Sequence, residues 1–219
     1  MNSLSALLIV SISWLVDDGW IADGNNCWDL DAPNAGEYSI VGELDSLLVE
    51  GGLSFRYRQK LNGSNSNNST LELSFSDSLS LQFSTGMNGS DDPLQITSSD
   101  GSVSLEVFSD LINFAEPLDM ELKVNFTSDS VFVFVSPEEE NLHIQLCSFA
   151  FLNTGLSRFS FTANCTSSQP TAFSFGLNSI SEEQINPSFK LNYHNCENPW
   201  FIDLGFNIPM QNISLYCSR

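Results

Sequence analysis

The stretch Leu71-Glu-Leu-Ser-Phe-Ser-Asp-Ser-Leu-Ser-Leu-Gln-Phe83 decides the fold. Its apolar residues, Leu71, Leu73, Phe75, Leu79, Leu81 and Phe83, all fall at odd positions, with Ser, Glu, Asp or Gln at most positions between. Successive side chains of a β-strand point to opposite faces. This spacing therefore presses one apolar wall onto a core and turns a Ser-rich wall to water. The pattern recurs downstream as Leu94/Ile96, Val103/Leu105/Val107, Leu122/Val124/Phe126, Val131–Val135 and Leu142/Ile144/Leu146. Ser76-Asp77-Ser78, Gly86–Pro93, Ser99-Asp100-Gly101, Ser109–Pro117, Ser128-Asp129-Ser130 and Pro137–Asn141 separate the runs. Short strands at regular spacing with turn residues between them predict an all-β, antiparallel two-sheet sandwich.

Outward from this array the signals weaken. Upstream, Tyr38–Val41 and Leu47–Val49 are short strand signals, Leu53–Gln59 is a fuller one, and Asn62–Thr70 is a polar hairpin tip. Downstream, Phe149/Phe151, Phe159/Phe161 and Phe173/Phe175 keep the β period. Val131-Phe-Val-Phe-Val135 is apolar on both faces and predicts a central strand covered on both sides. Leu111–Ala115 has room for one helical turn, and no repeat of solenoid or propeller period appears.

The apolar run Leu4–Val16, ended by Asp17-Asp18, is shorter than the roughly 20 residues a bilayer span needs and fits the core of a secretory leader. A buried first strand is the alternative. With cleavage between Ser13 and Ala22, the expected organisation is a signal peptide at 1–22, a sandwich at 23–185, and a cysteine-containing extension at 186–219 packed on it. Asn62, Asn67, Asn68, Asn88, Asn125, Asn164 and Asn212 head Asn-x-Ser/Thr sequons, as expected of a secreted, extracellular glycoprotein. Five cysteines, Cys27, Cys147, Cys165, Cys196 and Cys217, are expected to form disulfides in that compartment. Cys147 is a candidate to pair with Cys165. Cys196 and Cys217 are candidates to tie down the C-terminal region, to each other or to Cys27. The odd count leaves one thiol free or bridged to another chain.

The formal charge of −20, with seven Lys and Arg in 219 residues, repels phosphate and anionic lipid and argues against nucleic-acid and membrane-surface partners. No apolar run has the length of a membrane span. Histidines occur only at His143 and His194, and no Gly-x-Ser-x-Gly elbow, phosphate-cradling loop or dinucleotide fingerprint is present. No enzyme activity is expected. Two histidines and disulfide-prone cysteines make a poor zinc set. Calcium could be offered carboxylates by Asp29/Asp31, Asp91/Asp92 or Glu138–Glu140, but none has an ordered loop spacing, so no cofactor is expected.

Arg56, Arg58 and Lys60 alternate and so share one face of one strand. They form the candidate ligand-binding set, suited to sialate, sulfate or uronate through charge-assisted hydrogen bonds, unless cross-strand carboxylates pair with them. Trp28 and Trp200 are candidates for stacking on sugar rings or for covering a neighbouring disulfide.

The run Ser76-Asp77-Ser78-Leu79-Ser80-Leu81, followed by a hairpin and the strand pair Leu122–Val135, resembles the galectin-type jelly roll. Within it, the closest pattern is the invertebrate farnesoic acid O-methyltransferase-type domain. The resemblance implies a galectin- or concanavalin-like jelly roll with a glycan-binding sheet face. That family's Gly-Gly-Trp and the galectin set His-x-Asn-x-Arg, Trp and Glu-x-Arg have no counterpart here, so no galactose site carries over. No strand–glycine-turn–helix unit is present for S-adenosylmethionine, so the methyltransferase name implies no activity. The expectation is a secreted, non-catalytic sandwich that binds glycans. The alternative is an acidic structural or matrix-associated glycoprotein acting through protein contacts.

Overall fold

The computed structural model describes residues 11–24, 26–32, 34–59, 68–76, 78–85, 93–108, 118–137, 143–166, 169–181, 190–193 and 214–217. Fourteen strands build two sheets, and the described residues contain no helix. Sheet A holds, in spatial order, β1 (Ile12–Val16), β4 (Gly36–Leu48), β13 (Leu156–Cys165), β6 (Asn68–Ser76), β7 (Leu79–Thr85), β8 (Leu94–Ser98) and β9 (Ser104–Val107). Sheet B holds β12 (Ile144–Ala150), β11 (Ser130–Pro137), β10 (Leu118–Phe126), β5 (Gly51–Gln59), β14 (Gln169–Ser181), β3 (Cys27–Ala32) and β2 (Trp20–Gly24). All neighbours within these sheets are antiparallel. In the C-terminal region, β15 (Lys190–Tyr193) and β16 (Ser214–Cys217) pair in parallel as a separate ladder. The expected disulfide linkage of the extension through Cys196 lies outside the described residues.

The alternation does what its spacing requires. Leu71, Leu73, Phe75, Leu81 and Phe83 are all buried, while Glu72, Ser74 and Gln82 between them are half-buried on the outer face. The core is aromatic at its centre. Phe159 and Phe161 of β13 face Phe55, Tyr57 and Phe175 across the sandwich. Phe161 stacks on Phe175 with centroids 4.5 Å apart and an interplanar angle of 8°. Phe55 meets Phe159 edge-on at 5.3 Å, and Tyr57 meets Phe161 at 5.4 Å. Both are favourable aromatic geometries beyond the area they bury. One polar link crosses the core. The Tyr57 hydroxyl lies 2.5 Å from Ser69 Oγ and 3.0 Å from Thr85 Oγ1, which tie β5 of sheet B to β6 and β7 of sheet A. Burial raises the Tyr57 phenol above its ordinary value, so it stays protonated and able to donate.

The turns follow their residues. At Ser99-Asp100-Gly101, Gly101 has φ 75°, and Asp100 Oδ1 accepts from Ser98 Oγ at 2.6 Å and from Ser102 N–H at 2.9 Å. These donors hold the Asp100 carboxyl down at about 2. Thr127 and Asp129 close the next turn in the same manner.

Two expectations are corrected. Tyr38–Val41 and Leu47-Leu48 belong to one 13-residue strand, β4, which ends before Val49. Val131–Val135 lies, as expected, on an interior strand, β11, flanked by β12 and β10, and its outward Phe134 is only 6% exposed. Cys147 lies on β12 and Cys165 at the end of β13 in the opposite sheet, both as free thiols, so they do not close a hairpin. The expected leader boundary at 22 falls inside β2, and β1 occupies the second half of the apolar run. Trp14 of β1 packs on Trp28 at 4.5 Å and on Phe159 at 5.5 Å, and Trp20 is buried against Phe161. The short apolar signal that reads as a leader is thus shared with an edge strand. The helical turn at Leu111–Ala115 lies outside the described residues.

Three stability measurements check this packing. A Cβ at Gly42 would stand 2.3 Å from Phe159 Cζ, so Gly42→Ala is expected to cost about 1–3 kcal/mol in urea denaturation. Tyr57→Phe leaves Ser69 and Thr85 bonded to each other at 2.9 Å, so its cost is expected near 1 kcal/mol. Removal of residues 1–22 uncovers Trp28 and Phe159 and is expected to lower the melting temperature by more than either substitution.

Candidate functional site on the outer face of sheet B

The alternation that sends Leu53, Phe55 and Tyr57 into the core sends Ser54, Arg56 and Arg58 to the outer face of sheet B. The same rule on β10 buries Met120, Leu122 and Val124 and turns Asp119, Glu121, Lys123 and Asn125 outward. Register then sets these residues opposite one another. Arg58 faces Asp119, Arg56 faces Glu121, and Ser54 faces Lys123. On the other flank Ser174 of β14 sits between Arg58 and Asp29 of β3, and its hydroxyl donates to Asp29 Oδ1. The row Asp29–Ser174–Arg58–Asp119 therefore crosses four strands. At 4.7–4.9 Å per strand it spans roughly 14 Å.

The expected cation set is partly assembled. Arg56 is exposed and Arg58 half-buried on β5, which is the central strand of sheet B and not an edge. Lys60 lies outside the described residues. Arg58 is also drawn into a cross-strand ion pair. Its Nη2 lies 2.5 Å and its Nε 2.6 Å from Asp119 Oδ2. Both donors converge on one carboxylate oxygen. Asp119 Oδ1 is buried with no hydrogen-bond partner among the described residues.

Beside this row lies a titratable cluster that the sequence did not reveal. Lys123 Nζ is 2.7 Å from His143 Nε2 and 3.7 Å from Glu121 Oε1, and Ser54 Oγ donates to the same Glu121 oxygen. His143, just before β12, is 6% exposed. A lysine ammonium only donates, so Nε2 accepts and the imidazole proton sits on Nδ1, which has no partner among the described residues. Burial, and then the adjacent Lys123 charge, holds His143 below its ordinary value. Burial also lowers Lys123, with Glu121 opposing it. The available signal was Asp119-x-Glu121-x-Lys123-x-Asn125, an alternating polar set as regular as that of Arg56 and Arg58.

The other candidates disperse. Among the described residues no three His, Cys, Asp or Glu side chains gather closely enough to hold a metal. Asp91, Asp92 and Glu138–Glu140 lie outside the described residues, as do His194, Cys196 and Trp200. Burial pushes the Cys147 thiol up to about 11 and raises Cys165, so both stay protonated and unreactive near neutrality. Trp28 is buried under Trp14 and presents no face to a ligand. Asn125 is 3% exposed in the middle of β10, which leaves no room for a glycan on the folded chain. Asn68 and Asn164 are half-buried cross-strand neighbours on the outer face of sheet A. Asn62, Asn67, Asn88 and Asn212 lie outside the described residues. No described helix is long and apolar enough to cross a membrane.

The chain is a lectin-like jelly-roll β-sandwich. Its fold is similar to the legume lectin-like domain from Entamoeba histolytica, with a TM-score of 0.53 at 9% identity, over 77% of this chain and 88% of that one. It is also similar to the Crh5 transglycosylase in complex with NAG, with a TM-score of 0.54 at 11% identity, over 80% and 79% of the two chains. No family model and no curated protein matches the sequence.

The His143 cluster predicts a pH dependence. A base whose value is depressed on folding is protonated first in the unfolded chain, so stability falls as pH drops through the ordinary histidine range near 6.5. Denaturation midpoints are expected to fall between about pH 7.5 and about pH 5.5. His143→Gln is expected to flatten that segment.

Proposed function

We propose that this chain is a secreted or lumenal, N-glycosylated protein that binds glycans without catalysis, through the outer face of sheet B. The observation that carries the reading is the Arg58–Asp119 ion pair in a polar row about 14 Å long. Guanidinium donors and a carboxylate acceptor side by side match the paired hydroxyls of a sugar. A row crossing four strands suits an extended oligosaccharide better than a single ring. Arg56, exposed beside it, and Lys60 complete the proposed contacts. Asp119 and Glu121 offset the cations, which favours hydroxyl recognition over the anionic sugars that the cations alone suggested. The fold likeness to a lectin-like domain is compatible with this reading. Secretion would require processing that leaves Trp14 and Trp20 on the chain, because both are packed in the sandwich.

A glycan array with protein secreted from eukaryotic cells tests the proposal. Arg58→Ala and Asp119→Asn are each expected to weaken binding about tenfold or more, with the circular dichroism unchanged. Absence of binding to every neutral and acidic glycan overturns it. Sequencing the secreted N-terminus tests the processing, and a start beyond Trp14 contradicts it.

Protein contact is a second reading, favoured by exposed Leu15, Val16 and Ile21 on edge strands β1 and β2. A concentration-dependent mass in light scattering, abolished by Leu15→Lys, would support it.

A further inference from the structure

A concavity whose lining shares no residue with the charged row lies where β1 of sheet A passes the bulged end of β14. It encloses about 290 Å³ and is lined by Ile12, Trp14, Asn26, Asn178, Ser179 and Ile180 together with Leu177. Backbone irregularities place its two amides. Asn26 adopts φ 58° in the turn between β2 and β3, a left-handed conformation that Asn tolerates better than most residues. Its carbonyl oxygen accepts from Leu177 N–H at 3.0 Å, which fixes the turn against β14. The register between β14 and β5 then shifts between Leu177 and Ser179, so Asn178 is the extra residue of a β-bulge. Bulges re-aim side chains out of a ladder, and this one puts an amide beside the cleft. Asn26, Asn178 and Ser179 are exposed, and neither amide side chain has a hydrogen-bond partner among the described residues. Trp14 is half-buried, braced by Trp28 and Phe159, and supplies a rigid aromatic wall.

We propose that this cleft is a separate binding site for one neutral pyranose ring. The lining has no ionisable side chain, and the chain carries a formal charge of −20, so an anionic sugar would find repulsion and no counter-charge there. An uncharged sugar offers an apolar C–H face to the Trp14 indole and hydroxyls to the two amides and Ser179. A few placed polar groups around an apolar and aromatic wall are the usual make-up of a small-ligand pocket, and the volume lies near the lower end of their range. Asparagine both donates and accepts, so two amides serve vicinal hydroxyls in either sense. The site requires β1, and so exists only in a chain that retains Ile12 and Trp14.

The full chain is titrated with the methyl glycosides of glucose, galactose and mannose and with N-acetylglucosamine. Tryptophan emission and the asparagine side-chain NH₂ resonances are followed. At least one probe is expected to give a saturable change at millimolar concentration. Asn178→Ala and Asn26→Gly, the latter keeping the left-handed turn, are each expected to raise its Kd about tenfold. Arg58→Ala is expected to leave this Kd unchanged while weakening array binding. No saturable change with any probe, or a Kd unmoved by both asparagine variants, overturns the proposal. Loss of monosaccharide binding in Arg58→Ala alone places the sugar on sheet B and also overturns it, without touching the reading of that face.

Discussion

Everything in this molecule hangs on the contact between β13 and the β5–β14 pair. Phe159 and Phe161 reach from sheet A, and Phe55, Tyr57 and Phe175 reach from sheet B. The rings lie at or near the middle of each sheet, where a side chain is shielded on every side. Deleting one buried Phe typically costs ~3–5 kcal/mol, a large part of a domain's net stability of ~5–15 kcal/mol. The position of β5 at the centre of sheet B follows from this contact. So does the arrangement of the outer face, because the residues that alternate with Phe55 and Tyr57 are Ser54, Arg56 and Arg58.

The buried Tyr57 hydroxyl adds specificity to that contact. Aromatic rings can slide over one another at little cost, but a hydroxyl that must meet Ser69 and Thr85 admits one alignment of β5 over β6 and β7. A one-residue slip of β5 would bury Arg56 and Arg58 and expose Phe55. The polar row on the outside is therefore held in place by a polar group on the inside.

The sheet class was legible because alternation is a local signal, and Leu71–Phe83 carries it without interruption beyond one turn. Position within a sheet was not, because it depends on pairing between distant segments. Nothing in the sequence around Arg56 and Arg58 tells how their strand is flanked, and β14, over a hundred residues later, closes one side of β5. The Glu121–Lys123–His143 cluster was hidden for the same reason: Lys123 and His143 are joined only when β11 and β12 fold back beside β10. The N-terminal run was ambiguous in a different way. Leader cores and short edge strands are both brief and apolar, and the packing of Trp14 on Trp28 is a contact between distant segments that the run itself does not announce. Arg58 was legible as an outward-facing cation but its partner was not, since Asp119 lies 61 residues further along the chain.

The arrangement of β5 also dictates when this protein can become itself. Its first sandwich partner strands are made early, but β13 and β14, which close β4 on one sheet and β3 and β5 on the other, emerge last among the sandwich strands. At a synthesis rate of 5–20 residues per second, the apolar edges of β3, β4 and β5 wait on the order of ten seconds for cover. Such long-range closure makes for slow folding with exposed strand edges. A nascent chain of this kind depends on whatever holds unpaired strands in its compartment, and its yield on expression should be governed more by that interval than by the stability of the finished sandwich.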